Sequence, residues 1–83
     1  MSQIANDVKA FVLDQFLPGE DPENLTEDTP LITGGILDSI GTLKLVVFLE
    51  NHFDVTFEAH EAGADHLDTI GSIESLISAK KAA

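Results

Sequence analysis

The chain has no cysteine, no tryptophan, no tyrosine and no arginine, and its basic side chains are Lys9, Lys44, Lys80 and Lys81 alone. Each absence removes a class of function. Without a thiol there is no disulfide framework, no thiolate nucleophile and no Cys-based zinc site, and nothing calls for an oxidising compartment, so a cytoplasmic location is expected. Four lysines against fifteen Asp and Glu leave a formal net charge of −11 and a pI near 4.2. That balance excludes nucleic acid as a partner, because the phosphate backbone is bound through Lys and Arg, and it disfavours anionic membrane surfaces for the same reason. Long apolar runs are missing as well. Residues 1–16 carry Asp7, Asp14 and one lysine, unlike the basic leader and apolar stretch of a signal peptide. No segment reaches the roughly 20 apolar residues needed to span a bilayer, so no membrane insertion is expected. There is no Gly-x-Ser-x-Gly elbow, no dinucleotide or Walker glycine pattern and no His-Glu-x-x-His. His52, His60 and His66 are separated by eight and six residues, whereas two ligands on one helical face need three or four. Neither a metal site nor an enzyme is expected.

What remains is enough for a folded domain. A chain of 83 residues buries roughly 60% of its unfolded surface and supports one core, so residues 1–83 are read as a single domain. Its hydrophobic fraction of 43% lies well above that of a disordered acidic tail. Ile4, Val8, Phe11, Val12 and Phe16 share one helical stripe, which predicts a helix over 3–17, capped by Ser2 and stopped by Pro18 and Gly19. From 18 to 37 no period holds, and three prolines and three glycines punctuate the segment. Loops beyond roughly 12–15 residues are uncommon unless functional or disordered. Leu25, Leu31, Ile32, Ile36 and Leu37 argue for an ordered loop pinned to the core, with a helical turn near 24–28.

A second helix is predicted over 39–53, capped by Asp38 or Ser39. It is apolar on two faces. Leu45, Val46, Leu49 and Phe53 form a line suited to the core, while Ile40, Leu43 and Val47 form another that begins beside Ser39 and for which a small domain has little core left. Residues 54–56 read as a turn, Phe57 as a core anchor, and 58–66 as polar with one short helix interrupted by Gly63. Thr69 caps a last helix carrying Ile70, Ile73, Leu76 and Ile77 and ending in Lys80 and Lys81, where cations favour the dipole. The fold class is all-α: three main helices and one short one, with a long loop between the first two.

Ser39 is the residue on which function turns. A serine opening a helix is ordinarily an N-cap, and Gly34-Gly35 upstream is ordinarily a turn, or else lets the backbone approach whatever docks at the helix start. With no general base assignable, Ser39 is a poor nucleophile by itself, but it is a good acceptor for a group delivered by another enzyme. A phosphoester there would lie against the positive end of the helix.

The run Gly34-Gly35-Ile36-Leu37-Asp38-Ser39-Ile40, followed by the apolar helix to Glu50 and Phe53, resembles the acyl carrier protein family, whose signature is Asp-Ser-Leu or Asp-Ser-Ile at the start of the second helix. The likeness spans the chain, including its acidity, the long loop with leucine anchors, and Leu67-Asp68-Thr69-Ile70-Gly71-Ser72-Ile73 ahead of the last helix. It implies that Ser39 accepts 4′-phosphopantetheine from coenzyme A through a separate, Mg²⁺-dependent phosphopantetheinyl transferase. The arm then brings the thiol that the chain lacks and presents acyl groups as thioesters, in fatty acid, polyketide or nonribosomal peptide biosynthesis. Asp38 matches the family's aspartate beside the serine, as a cap, as a transferase contact, or as both.

Ile40, Leu43 and Val47, with Glu50 at the edge, would be the surface that partners grip. Residues 10–79 hold fourteen carboxylates against Lys44 alone, a formal charge of −13. The expected partners are therefore a loading ligase and acyl-transfer enzymes with basic patches, meeting a monomeric carrier in brief encounters. Gly41 and Lys44 stand where bacterial fatty-acid carriers typically have acidic residues, which tells against a generic role in fatty acid synthesis. Leu37-Asp38-Ser39-Ile40 with Leu49-Glu50-Asn51-His52-Phe53 is also similar to discrete aminoacyl, D-alanyl or peptidyl carriers served by an adenylate-forming ligase. The cargo stays open at this stage, as does an unmodified acidic docking domain with Ser39 only a cap.

Overall fold

The computed structural model describes residues 3–82. The Ser2 cap proposed for the first helix lies outside them. Four α-helices follow in order: α1 (Gln3–Phe16), α2 (Ser39–Phe53), α3 (Ala64–Leu67) and α4 (Ile70–Ala82), with single 3₁₀ turns at Pro22–Asn24 and Ala59–Glu61. The architecture is all-helical, and three long helices surround one core as the periodicity predicts. α1 contributes Ala5, Val8 and Val12, α2 contributes Leu45, Val46, Leu49 and Phe53, and α4 contributes Ile70, Ile73 and Ile77, all buried. Phe11 of α1 stacks on Phe48 of α2 at 4.1 Å between centroids and meets Phe16 edge-on at 5.9 Å. This aromatic seam fixes α1 against α2. At its far end His52 hydrogen-bonds the Asp7 carboxylate at 3.0 Å, and that bond holds the Asp7 pKa below its ordinary value.

The long loop is ordered because it is fastened at both levels, by side chains and by backbone. Leu25, Leu31 and Leu37 are no more than 2% exposed, as deep as the helical core. The helical turn falls at Pro22–Asn24 rather than near 24–28. Pro22 is pre-set for the first helical position, and Asp21 caps the turn by accepting the Glu23 N–H at 3.0 Å. Thr26 and Thr29 close the following bend through their side chains. The segment 58–66 also differs from the single short helix expected. It holds a 3₁₀ turn closed by reciprocal Glu58 and Glu61 bonds, then Gly63 as the extended residue that opens α3. Lys80 does more than complement a dipole, since its ammonium bonds Glu61 at 2.7 Å and the Thr56 carbonyl at 2.8 Å.

One latch joins the loop to the α3–α4 junction. The Asp68 carboxylate accepts the Thr33 and Ile32 N–H groups at 2.8 and 2.9 Å and the Thr33 hydroxyl at 2.9 Å. Its own carbonyl accepts from Leu31, and Gly71 N–H donates to the Glu27 carbonyl at 3.0 Å. These donors, the Thr33 amide foremost, hold the Asp68 carboxyl below its ordinary 3.8. A carboxyl with a depressed folded pKa contributes stability that is whole above the unfolded value and lost as pH falls through the folded one. Thermal unfolding of the wild type should therefore move to lower temperature below pH 3.8. In Asp68→Asn the drop over that range should be shallower, from a Tm already lower at pH 7; equal slopes in the two proteins would remove Asp68 from this role.

Candidate functional site

The site is built at the first turn of α2. Asp38 has extended backbone (φ −90°, ψ −171°), and its Oδ1 accepts the Gly41 N–H at 2.6 Å, while its carbonyl accepts both the amide and the hydroxyl of Thr42 at 2.8 Å. Asp38 is thus the N-cap, and of the two candidates the sequence offered it takes the whole capping role. Ser39 becomes the first helical residue. Its side chain is exposed, and its hydroxyl hydrogen-bonds no described residue. The N–H groups of this turn and the helix dipole give its surroundings a positive potential. Beside it a shallow cleft opens toward α3, lined by Ile32, Leu37, Thr42 and the small residues Ala62, Gly63 and Ala64.

Two glycine positions upstream and within the helix shape this turn. Gly35 has φ +85°, and a Cβ on Gly34 would lie 2.3 Å from the Pro30 carbonyl oxygen, so the pair forms the turn that brings the chain to Asp38. Gly41 was legible only as a departure from the resembled family's charge pattern. In the structure a Cβ there would meet Phe16 Cε1 at 3.0 Å and Asp38 Oδ1 at 3.1 Å. The absence of a side chain lets α1 close against the α2 cap. Alanine at an unhindered helix interior gains about 1 kcal/mol over glycine. Gly41→Ala should instead be destabilising by about 1–2 kcal/mol, an overpacking cost, read from the urea midpoint; a stabilised variant would mean that Phe16 yields freely.

The second apolar line is exposed as its lack of a core predicts: Ile40 by 66%, Leu43 by 63% and Val47 by 47%. It lies on the outer face of α2, with Ser39 at one flank. Glu50 is half-buried, and its carboxylate accepts the Phe57 N–H at 2.9 Å, so it fastens the chain after α2. The histidines do not converge. His52 belongs to the α1–α2 seam, His60 and His66 rings stand 6.5 Å apart, and no cluster of metal-ligating side chains occurs among the described residues. Among the described residues no helix is long and apolar enough to cross a membrane. The Asp68 latch, which positions Ile32 and Thr33 near the cleft, was missed, because a single carboxylate in a chain of fifteen acids gives no spacing signal.

No protein-family model matches the chain. Among curated proteins, the D-alanyl carrier protein of Streptococcus mutans is 40% identical over 70 residues, covering 81% of this chain and 86% of that protein. The D-alanyl carrier proteins of Streptococcus sanguinis and Streptococcus gordonii are each 39% identical, with the same shares covered. The chain belongs to the acyl carrier protein family. It is a carrier protein, and the described residues form the all-helical bundle expected of one. All three of these relatives are named D-alanyl carrier proteins.

Proposed function

We propose that this carrier is modified on Ser39 with 4′-phosphopantetheine and carries D-alanine on the arm. The observation that supports the attachment is the division of labour at the α2 start, where Asp38 caps the helix and leaves the Ser39 hydroxyl free and exposed. The residues fit the group. A phosphodiester on Ser39 would sit at the positive end of α2, and the adjoining cleft of Ile32, Leu37, Thr42 and Gly63 offers a mixed surface along which the arm can lie. Attachment would form an Oγ–P bond to the β-phosphorus of coenzyme A and break the pyrophosphate bond. Adenosine 3′,5′-bisphosphate leaves, and the serine proton passes to a base on the transferase. When bound, the group supplies a terminal thiol that holds an aminoacyl residue as a thioester.

D-alanine as the cargo is supported by the names of the relatives. In this reading an adenylate-forming ligase loads the carrier, and an acyl-transfer enzyme accepts the residue. Ile40, Leu43 and Val47 are the contact for both, because among the described residues they are the large apolar side chains left open to solvent and they flank the attachment point. The test is loading of phosphopantetheinylated carrier by a D-alanine-activating ligase with ATP, read by intact mass, against L-alanine and against a fatty acid with its own ligase. A D-alanyl mass gain, reversed by hydroxylamine, is expected. Loading by the fatty acid alone would return the protein to the general acyl carriers.

A further inference from the structure

Gly63 opens α3 and lines the same cleft as Ser39, a hollow of about 420 Å³ whose other walls include Ile32, Leu37 and Thr42. Nothing in the fold asks for glycine there. Its backbone is extended, at φ −120° and ψ −178°, a conformation open to every residue. A Cβ placed on it meets no atom within 4 Å. The remaining glycines differ, since Gly19 and Gly35 are held at positive φ and a Cβ on Gly34, Gly41 or Gly71 would meet neighbouring atoms. As the N-cap of α3, Gly63 also supplies no side-chain hydrogen bond, where Ser, Asp or Asn would close the first turn. Glycine further costs stability through the freedom it gives the unfolded chain. The sequence thus forgoes a cap and a stiffer backbone at a position where a side chain has room.

That room adjoins the attachment point. The bulkiest part of a phosphopantetheine arm is a quaternary carbon bearing two methyl groups, only a methylene away from the phosphate, so attachment at Ser39 places those methyls beside this hollow. Ile32 supplies an apolar surface for them. It is partly buried against the core, and the Asp68 carboxylate holds its amide at 2.9 Å, so the wall is fixed. Packing the methyls on it removes apolar surface from water, and a side chain at position 63 would compete for the same volume. We infer that Gly63 is a clearance residue for the prosthetic arm, its missing side chain leaving the seat in which the dimethyl segment packs against Ile32. This rests on the reading of Ser39 as the attachment point and deepens it. The residue that decides how the arm is held lies at the start of α3, apart from the exposed α2 face.

The test reads the arm itself and needs no loaded cargo. Wild type, Gly63→Ala and Gly63→Leu are modified by a phosphopantetheinyl transferase from coenzyme A labelled with ¹³C in the two methyl groups, with the reaction driven to completion and the addition located by mass. In the wild type, nuclear Overhauser contacts should join the arm methyls to the Ile32 methyls and the Gly63 α-protons. The Ile32 and Gly63 resonances should also shift between the unmodified and the modified chain. Gly63→Ala should weaken the Ile32 contacts and Gly63→Leu abolish them, leaving modification shifts only at the first turn of α2. Unmodified Gly63→Ala should melt within about 4 °C of the wild type, because the fold makes no use of the glycine. Arm methyls that keep their free coenzyme A resonances in the wild type, Ile32 contacts undiminished in either variant, or a larger fall in Tm for Gly63→Ala would each overturn the inference while leaving the attachment standing. No uptake on Ser39 in the wild type would overturn both.

Discussion

Ser39→Ala is expected to remain folded and to lose carrier function entirely. The first half of that expectation comes from the cap. Because Asp38 satisfies the Gly41 N–H and the Ser39 hydroxyl bonds no described residue, removing the hydroxyl should change stability by no more than about 0.5 kcal/mol, the range of an ordinary surface substitution. Asp38→Ala should cost more, about 0.5–2 kcal/mol as the loss of an N-cap, or a fall in Tm of several degrees for a domain this small. The two neighbours thus separate folding from function: one variant keeps its Tm and fails to complement loss of the carrier in cells, the other loses Tm and complements at permissive temperature. A Ser39→Ala chain that complements fully would leave only the docking domain that the sequence also allowed.

Leu31→Ala should produce the largest loss of stability. Leu31 is fully buried although it belongs to the loop, and its amide and carbonyl join the Asp68 carbonyl and the Leu37 amide. Truncation removes three heavy atoms from the core and leaves a cavity, at a cost of about 2–5 kcal/mol. A domain of this size has only about 4–12 kcal/mol in total, so half the margin is at stake. The urea midpoint should fall with the m-value unchanged, and native-state hydrogen exchange should quicken first at Ile32, Thr33 and Leu37, beside the cleft. Exchange that quickens uniformly would mean that the loop is no separate unit. An unchanged midpoint would contradict the reading of the loop as part of the core.

The helices were legible because each carries a period. Val8 and Val12, or Leu45 and Leu49, recur at four residues and all four are buried, and Ile40, Leu43 and Val47 could be recognised as surplus because α2 had more apolar faces than a small core can cover. The loop was legible in its anchors and not in its path. Its turn is set by Asp21 and Pro22, a cap chemistry that operates over three residues, and its position by Asp68, 35 residues away from Thr33. Long-range hydrogen bonds leave no periodic trace. At the site itself, Ser39 and Asp38 stood out by their place at a helix start, but which of them caps depends on the backbone angles of Asp38, and a sequence does not fix those. Gly41 is the opposite case, a residue noticed for the charge it lacks and explained by the Phe16 ring that occupies its space.

The attachment of phosphopantetheine to Ser39 is tested most directly by the intact mass of the chain before and after incubation with coenzyme A, Mg²⁺ and a broad-specificity phosphopantetheinyl transferase, with fragmentation to locate the addition. One phosphopantetheinyl group per chain, on Ser39 and absent from Ser39→Ala, is the expected result. No gain with several transferases, or a gain that persists in Ser39→Ala, would contradict it.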